Sequence, residues 1–197
     1  MIFGWVKDRL ERRKTDEKGG FEMLNCHDVL SLPTLSVTLG CVEPATTYRH
    51  LLARVCLVGT HANQHLEKIP TSRERTDFLL VLPTLNQIGV KGGDPFGLVT
   101  ENADRLGLSP CPVEVAPAFC CSYPKKGFDG RVIRVVPERP FADQGMGAET
   151  IFMIYRDLTG LWLHTDCIVD GKLPSWAKDE DLLAFGAPIA LSRALAG

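Results

Sequence analysis

A histidine, an aspartate and two adjacent cysteines are the residues of this sequence best suited to nucleophilic chemistry. His164 and Asp166 lie in a segment rich in β-formers, so on a strand they point to one face, where the carboxylate could orient the imidazole as a base. Cys167 would point to the other face, so Cys120 or Cys121 is the only plausible nucleophile. The simpler interpretation is two buried cysteines and an exposed histidine, and a thiol-dependent enzyme is retained as an alternative.

A second pair of imidazoles, His61 and His65, falls one helical turn apart. Such a pair could bind one metal ion, with Cys56 as the nearest third ligand. The zinc hydrolase version of this motif needs a glutamate directly after the first histidine, and Ala62 stands there instead. A polar helix face explains the pair more simply, so we predict no metal.

Phosphate and redox motifs are missing. The loop from Gly89 to Gly93 joins a predicted strand to a predicted helix, but it fits neither glycine-rich nucleotide motif, and Asp94 would repel an anion. Cys111 is flanked by prolines, and the sequence holds no Cys-x-x-Cys, so a redox dithiol, a zinc ribbon and a nucleobase deaminase are disfavoured. We predict no cofactor.

Nucleic-acid binding has weak support. Net charge is −2, so no overall basic field attracts phosphate. Aromatic and basic residues do gather in the last third of the chain: Arg131, Arg134, Arg139, Arg156, Tyr155 and Trp162. Arg131 and Arg134 would face opposite ways on a flat strand, so they build no basic stripe. Trp162 should face outwards if the neighbouring leucines are core, and inwards if they are not.

Cysteine usage and hydropathy predict a location. The seven cysteines are odd in number and irregularly spaced, which favours reduced thiols packed as small hydrophobes. No export signal and no membrane span is recognisable. We therefore expect a cytoplasmic protein with no membrane partner.

The first 20 residues are predicted to form a helical arm ahead of a single α+β domain over residues 21–197. A solvated arm is the simpler interpretation. The alternative is a docking helix, whose partner-binding side chains would be Phe3, Trp5, Val6 and Leu10, together with Ile2.

Periodicity predicts the helices that position these residues. One helix should run from Thr46 or Thr47 to about Val58, and a second from a Thr60 cap to Ile69. A third should start at an Asp94 cap with Pro95 first and reach Leu106, where Gly107 ends it. Residues 109–124 are rich in proline, which favours a short turn and then an extended segment.

Strands are expected at 34–39, 78–85, 131–136, 150–157, 161–165 and 182–191, with loops at 137–149 and 170–181. The resulting fold class is α+β. The helical pair and one further helix pack on a mostly antiparallel sheet, and the C-terminal third is β-rich.

Two segments carry a family resemblance. Residues 107–123 read GLSPCPVEVAPAFCCSY, and residues 151–163 read IFMIYRDLTGLWL. They resemble a group of uncharacterised bacterial and phage-associated proteins that share a GL-x-x-CP-x-EV-x-P stretch and a Gly-Leu-Trp-Leu hairpin. The resemblance covers roughly residues 34–185 and implies a recurring unit but no activity, cofactor or site. The group usually has a polar, arginine-containing strand where this chain has Phe119-Cys120-Cys121.

The sequence as a whole favours a non-enzymatic protein-binding or accessory module. It would present a sheet face, or the loop at 137–149, to a protein partner. The thiol-dependent enzyme and a weak nucleic-acid-binding protein are the alternatives.

Overall fold

The computed structural model describes residues 28–40, 48–123, 131–142 and 148–188. The predicted N-terminal arm, with Phe3, Trp5, Val6 and Leu10, lies outside the described residues. Within them, no helix is both long and apolar enough to cross a membrane.

Four α-helices lie in this described part of the chain. They are α1 (Tyr48–Leu52), α2 (Thr60–Leu66), α3 (Phe96–Arg105) and α4 (Val115–Ser122). Single 3₁₀ turns occur at Asp28–Ser31 and Asn86–Ile88.

The prediction for α3 is confirmed at its C-terminal end, where Gly107 adopts φ +72°. At its N-terminal end the prediction is off by one residue, because Pro95 is the cap and the helix begins at Phe96. Asp94 caps the preceding turn instead, where its Oδ2 accepts a hydrogen bond from the Lys91 amide at 2.9 Å.

Two helix predictions are wrong for reasons of tertiary structure. The first helix ends at Leu52 rather than near Val58, because Leu57 and Val58 leave the helical path and pair with a strand. Residues 115–122 are helical rather than extended. Pro117 is tolerated because it lies in the first turn, where a backbone N–H would have no intrahelical acceptor.

The strands in the described ranges form one eight-stranded sheet. They are β1 (Thr34–Leu39), β2 (Leu57–Val58), β3 (Thr76–Val81), β4 (Ile133–Val135), β5 (Phe141–Ala142), β6 (Glu149–Asp157), β7 (Gly160–Ile168) and β8 (Leu182–Gly186). The strand order is β1-β3-β8-β4-β6-β7-β2, and β5 pairs with β6 off this path. The pairs β2–β7 and β4–β8 are parallel and the others antiparallel, so the α+β prediction with a mostly antiparallel sheet is confirmed.

Alternation along the strands divides the buried residues between two cores. On one side, which we call the three-helix face, α1, α2 and α4 pack on residues such as Ile154 and Leu163. On the other side, the one-helix face, α3 packs near Ile151 and Ile168. Neighbouring positions of a strand point to opposite faces, so the sheet separates every functional candidate into one layer or the other.

Candidate functional site

The sheet separates the residues of the predicted thiol site. Cys120 lies on α4 and is fully buried in the core of the three-helix face, among residues that include Leu163. His164 follows Leu163 on β7, so its side chain points to the one-helix face, as does that of Asp166. Cys120 and its neighbour Cys121 therefore lie on the opposite side of the sheet from His164 and Asp166. The predicted arrangement of a cysteine nucleophile beside His164 and Asp166 is wrong.

His164 has a packing role. A Cβ atom added to Gly59 would lie 2.3 Å from Cδ2 of the His164 ring. The imidazole thus packs directly against the backbone of Gly59, the residue after β2, whose amide donates a hydrogen bond to the Leu163 carbonyl of β7. Its Nδ1 lies 2.9 Å from the Thr165 carbonyl oxygen.

Asp166 belongs to a buried ion cluster centred on Arg134. The guanidinium has no exposed surface, and it donates from Nε to Asp166 Oδ2 at 2.7 Å and from Nη1 to Asp181 Oδ2 at 2.8 Å. The Trp176 ring lies 5.0 Å from Cζ, close enough for a cation–π contact. Nη2 has no hydrogen-bond partner among the described residues.

The buried position of this cluster changes the pKa of Asp166. Burial raises the pKa of the Asp166 carboxyl above its ordinary value and outweighs the opposing attraction of Arg134. Asp181 accepts a further hydrogen bond from the Lys178 amide at 3.0 Å. Because both carboxylates are held by Arg134, the cluster ties β4, β7 and the loop before β8 together.

Two cavities border buried carboxylates. One, of about 600 Å³, is lined in part by Asp166, Cys167, Lys172 and Trp176. The other, of about 550 Å³, is lined in part by Glu114. In each case the carboxylate is already hydrogen-bonded to the protein, which leaves little capacity to act on a ligand.

Glu114 accepts four hydrogen bonds from other described residues. Its Oε1 accepts hydrogen bonds from the Tyr48 hydroxyl at 2.6 Å and the Gly40 amide at 2.9 Å. Its Oε2 accepts from the Ser72 amide at 2.8 Å and the Ser72 hydroxyl at 2.7 Å. Burial acts to raise the Glu114 pKa, but these hydrogen bonds outweigh it and leave the pKa below its ordinary value.

Of the three candidate metal ligands, His65 has a packing role. The His65 ring is buried and stacks on Phe141 with 4.9 Å between ring centroids, and its Nε2 lies 3.3 Å from Thr150 Oγ1. Among the described residues, no group of three or more potential ligands converges on one point, so His61, His65 and Cys56 are not brought together as a site.

Cys56 and Cys120 contribute to the same core on the three-helix face. Cys56 and Cys121 are partly exposed, whereas Cys120 is not exposed at all.

One row of side chains on the one-helix face is partly exposed among the described residues. Tyr155 of β6, Trp162 of β7 and Leu57 of β2 are paired across three adjacent strands. The Tyr155 and Trp162 rings stack with centroids 6.1 Å apart and planes 7° apart, and Leu57 is 41% exposed. We call these three residues the aromatic row.

The aromatic row is held rigidly. Trp162 Nε1 donates to Thr159 Oγ1 at 2.9 Å, and the same hydroxyl donates to Asp157 in the β6–β7 turn. Leu158, at the tip of that turn, is fully exposed. Leu161 and Leu163 are buried, so Trp162 faces outwards, which resolves the orientation that the sequence left open.

No protein-family model matches the chain, and no curated protein or solved structure matches it either. The likeness to uncharacterised bacterial and phage-associated proteins therefore stays a prediction.

Proposed function

We propose that this chain is a non-enzymatic protein-binding module whose contact surface is the aromatic row. The observation that carries the proposal is the alignment of the half-buried Tyr155 and Trp162 with the exposed Leu57 across three neighbouring strands. Tryptophan and tyrosine are the residues that most often dominate the energetics of protein interfaces.

The physical state of the row favours a protein over a small molecule. The three side chains lie side by side on a sheet, rather than lining an enclosed cavity of the kind that buries most of a ligand. The stacked rings are already ordered and the indole N–H is already bonded to Thr159. A partner would therefore gain apolar contact with little loss of side-chain entropy and no unpaired donor.

The two alternative functions, a thiol-dependent enzyme and a nucleic-acid-binding protein, each require a residue that is not placed to serve them. Cys120 and His164 lie on opposite sides of the sheet, so a thiol enzyme of the predicted form lacks its base. Arg134 is enclosed by Asp166 and Asp181 and has no exposed surface, so it cannot contact a nucleic-acid phosphate.

The test compares proteins retained by immobilised full-length chain from a lysate of the encoding organism. The double variant Tyr155→Ser/Trp162→Ser should lose at least about 30-fold of the specifically retained protein, since interface hot spots contribute about 2 kcal/mol or more. Val169→Ser is the matched control, because Val169 is 57% exposed but lies outside the row. A photo-crosslinking residue at position 57 should label the same protein.

Equal retention of that protein by the wild type and the double variant, with both shown to be folded by circular dichroism, would rule the row out as the contact surface. Deleting residues 1–20 tests the separate prediction that Phe3, Trp5, Val6 and Leu10 bind a partner.

A further inference from the structure

A carboxylate lies at the end of the aromatic row, in the turn between β6 and β7. Asp157 Oδ1 accepts hydrogen bonds from the Thr159 hydroxyl at 2.6 Å, the Thr159 amide at 2.8 Å and the Gly160 amide at 3.2 Å. The Thr159 hydroxyl oxygen in turn accepts a hydrogen bond from Trp162 Nε1 at 2.9 Å. One hydroxyl group therefore joins the carboxylate to the indole and fixes the position of the negative charge relative to the row.

This charge is exposed, and within the described residues Asp157 has no ion-pair partner. The hydrogen bond from the Thr159 hydroxyl lowers the pKa of Asp157, which keeps the carboxylate ionised at neutral pH. The three hydrogen bonds that fix the carboxylate all go to Oδ1, so Oδ2 keeps its capacity to accept. The neighbouring Arg156 points to the opposite face of the sheet, because adjacent residues of a strand alternate.

The carboxylate also lies close to the second ring of the row. Tyr155 and Asp157 are two residues apart on β6, so they share the one-helix face. Burial raises the pKa of the Tyr155 phenol, and the negative charge of Asp157 raises it further. The exposed charge therefore borders both stacked rings, and a partner that covers the row also covers Asp157.

A partner that brought only apolar side chains to the row would deprive Asp157 of water without supplying a counter-ion. Burying an unpaired carboxylate costs more than an apolar contact gains. A cationic side chain of the partner removes this cost, because its aliphatic stem packs on the rings while its charged end stays beside the carboxylate. Arginine fits better than lysine, since its planar guanidinium is more weakly hydrated and stacks on aromatic rings.

We propose that the protein partner presents an arginine to the aromatic row, with its guanidinium at Asp157 Oδ2 and its aliphatic stem against Trp162. This inference rests on the proposed function and adds the chemistry of the partner. Leu57 and Leu158 are exposed beside the same rings, and they favour apolar residues next to the arginine. The preferred ligand is therefore a segment in which an arginine is flanked by apolar side chains.

The experiment selects random peptides displayed on phage against the immobilised full-length chain and, in parallel, against the double variant Tyr155→Ser/Trp162→Ser. Peptides retained by the wild type alone should carry an arginine next to apolar residues. One such peptide is then synthesised and its affinity is measured by calorimetry. Replacing its arginine with citrulline should weaken binding at least about 5-fold, because citrulline keeps the shape of the side chain and loses the charge.

Asp157→Asn completes a double-mutant cycle. Asparagine can still accept the hydrogen bonds from Thr159 and Gly160, so the turn is kept and only the charge is lost. The variant should bind the arginine peptide at least about 3-fold more weakly than the wild type does, and it should lose most of the preference for arginine over citrulline. Asp170→Asn is the matched control, because Asp170 lies in another exposed turn, and it should bind as the wild type does.

Selected peptides that lack arginine would overturn this inference and leave the aromatic row as a contact surface. Equal affinity for the arginine peptide and its citrulline or lysine version would have the same meaning. If Asp157→Asn does not fold, as judged by circular dichroism, the citrulline comparison on the wild type decides. If the wild type retains no peptide in preference to Tyr155→Ser/Trp162→Ser, the proposed function fails together with the inference.

Discussion

Arg134 has a different role in the structure from the one that its sequence context indicates. In the sequence it is one of the basic residues that could form a nucleic-acid-binding surface. In the structure it is enclosed, and its charge is matched by Asp166 and Asp181. Removing one member of such a group leaves a buried charge without compensation, which costs far more than the intact group contributes.

Replacing Arg134 with methionine should lower the free energy of unfolding by about 3–5 kcal/mol, because two buried carboxylates lose their cation. Urea unfolding at neutral pH measures the loss. Arg105→Met is the matched control, since Arg105 forms an exposed pair with Glu101 and should change stability by no more than about 0.5 kcal/mol. Similar losses in the two variants would contradict the account given for the cluster.

Glu114 predicts a specific dependence of stability on pH. Its folded pKa is lowered, so its contribution is complete above the unfolded value of about 4.3 and is lost as pH falls through the folded pKa. Glu114→Gln should be less stable than the wild type at pH 7 by about 1–3 kcal/mol, because hydrogen bonds to a buried charged acceptor are weakened.

That difference should shrink as the pH is lowered below about 4, when the wild-type carboxyl becomes protonated. Urea midpoints measured from pH 7 to pH 3 give the profile. Glu101→Gln, at an exposed site on α3, should follow the wild-type profile. A Glu114→Gln deficit that stays constant over this range would show that the charge is not responsible.

At the scale of elements, the end of β1 is fixed by a glycine that the packing requires. Gly40 has φ +69°, and a Cβ atom there would lie 2.3 Å from the Glu74 carbonyl oxygen. Its amide also donates to Glu114. A side chain at position 40 would therefore clash with Glu74 and would also have to adopt a left-handed backbone conformation. A backbone shift that avoided the clash would disturb the hydrogen bond from the Gly40 amide to Glu114.

Gly40→Ala should destabilise the protein by about 1–3 kcal/mol, from backbone strain and the clash with Glu74. Gly97→Ala should do the opposite. Gly97 lies in α3 with nothing within 4 Å of its added Cβ, and alanine in a helix is favoured over glycine by about 0.5–1 kcal/mol. Urea unfolding of both variants measures the two changes in stability, which should have opposite signs. A loss of stability in Gly97→Ala would contradict the finding that the surface of α3 is open at Gly97.

The elements that could be predicted are those whose signals are local. β1 was predicted with its observed bounds, because alternation and a closing glycine specify it. The end of α3 at Gly107 follows from a local φ requirement. The two-residue strand β2 has no local signal, since Leu57 and Val58 become a strand only by pairing with β7. α4 cannot be predicted from its proline content, because proline is compatible with a helix only where it falls in the first turn, as Pro117 does.

At the scale of the whole molecule, the functional predictions also hold where they depend on local signals and fail where they depend on the packing of distant segments. Strand periodicity places His164 and Asp166 on a common face, and it makes the orientation of Trp162 depend on Leu161 and Leu163. Which face α4 would cover is decided by the packing of distant segments, and that decides whether Cys120 can meet His164.

The position of β8 has a consequence for how the protein is made. β8 lies between β3 and β4 in the sheet, yet both precede it in the chain. While the residues before Leu182 are still being added, the β1–β3 pair and the β4–β6–β7 unit have no strand to join them, and each presents an edge of unpaired backbone N–H and C=O groups. The sheet is therefore completed only once the segment up to Gly186 has been made, and until then these two edges can pair with another chain.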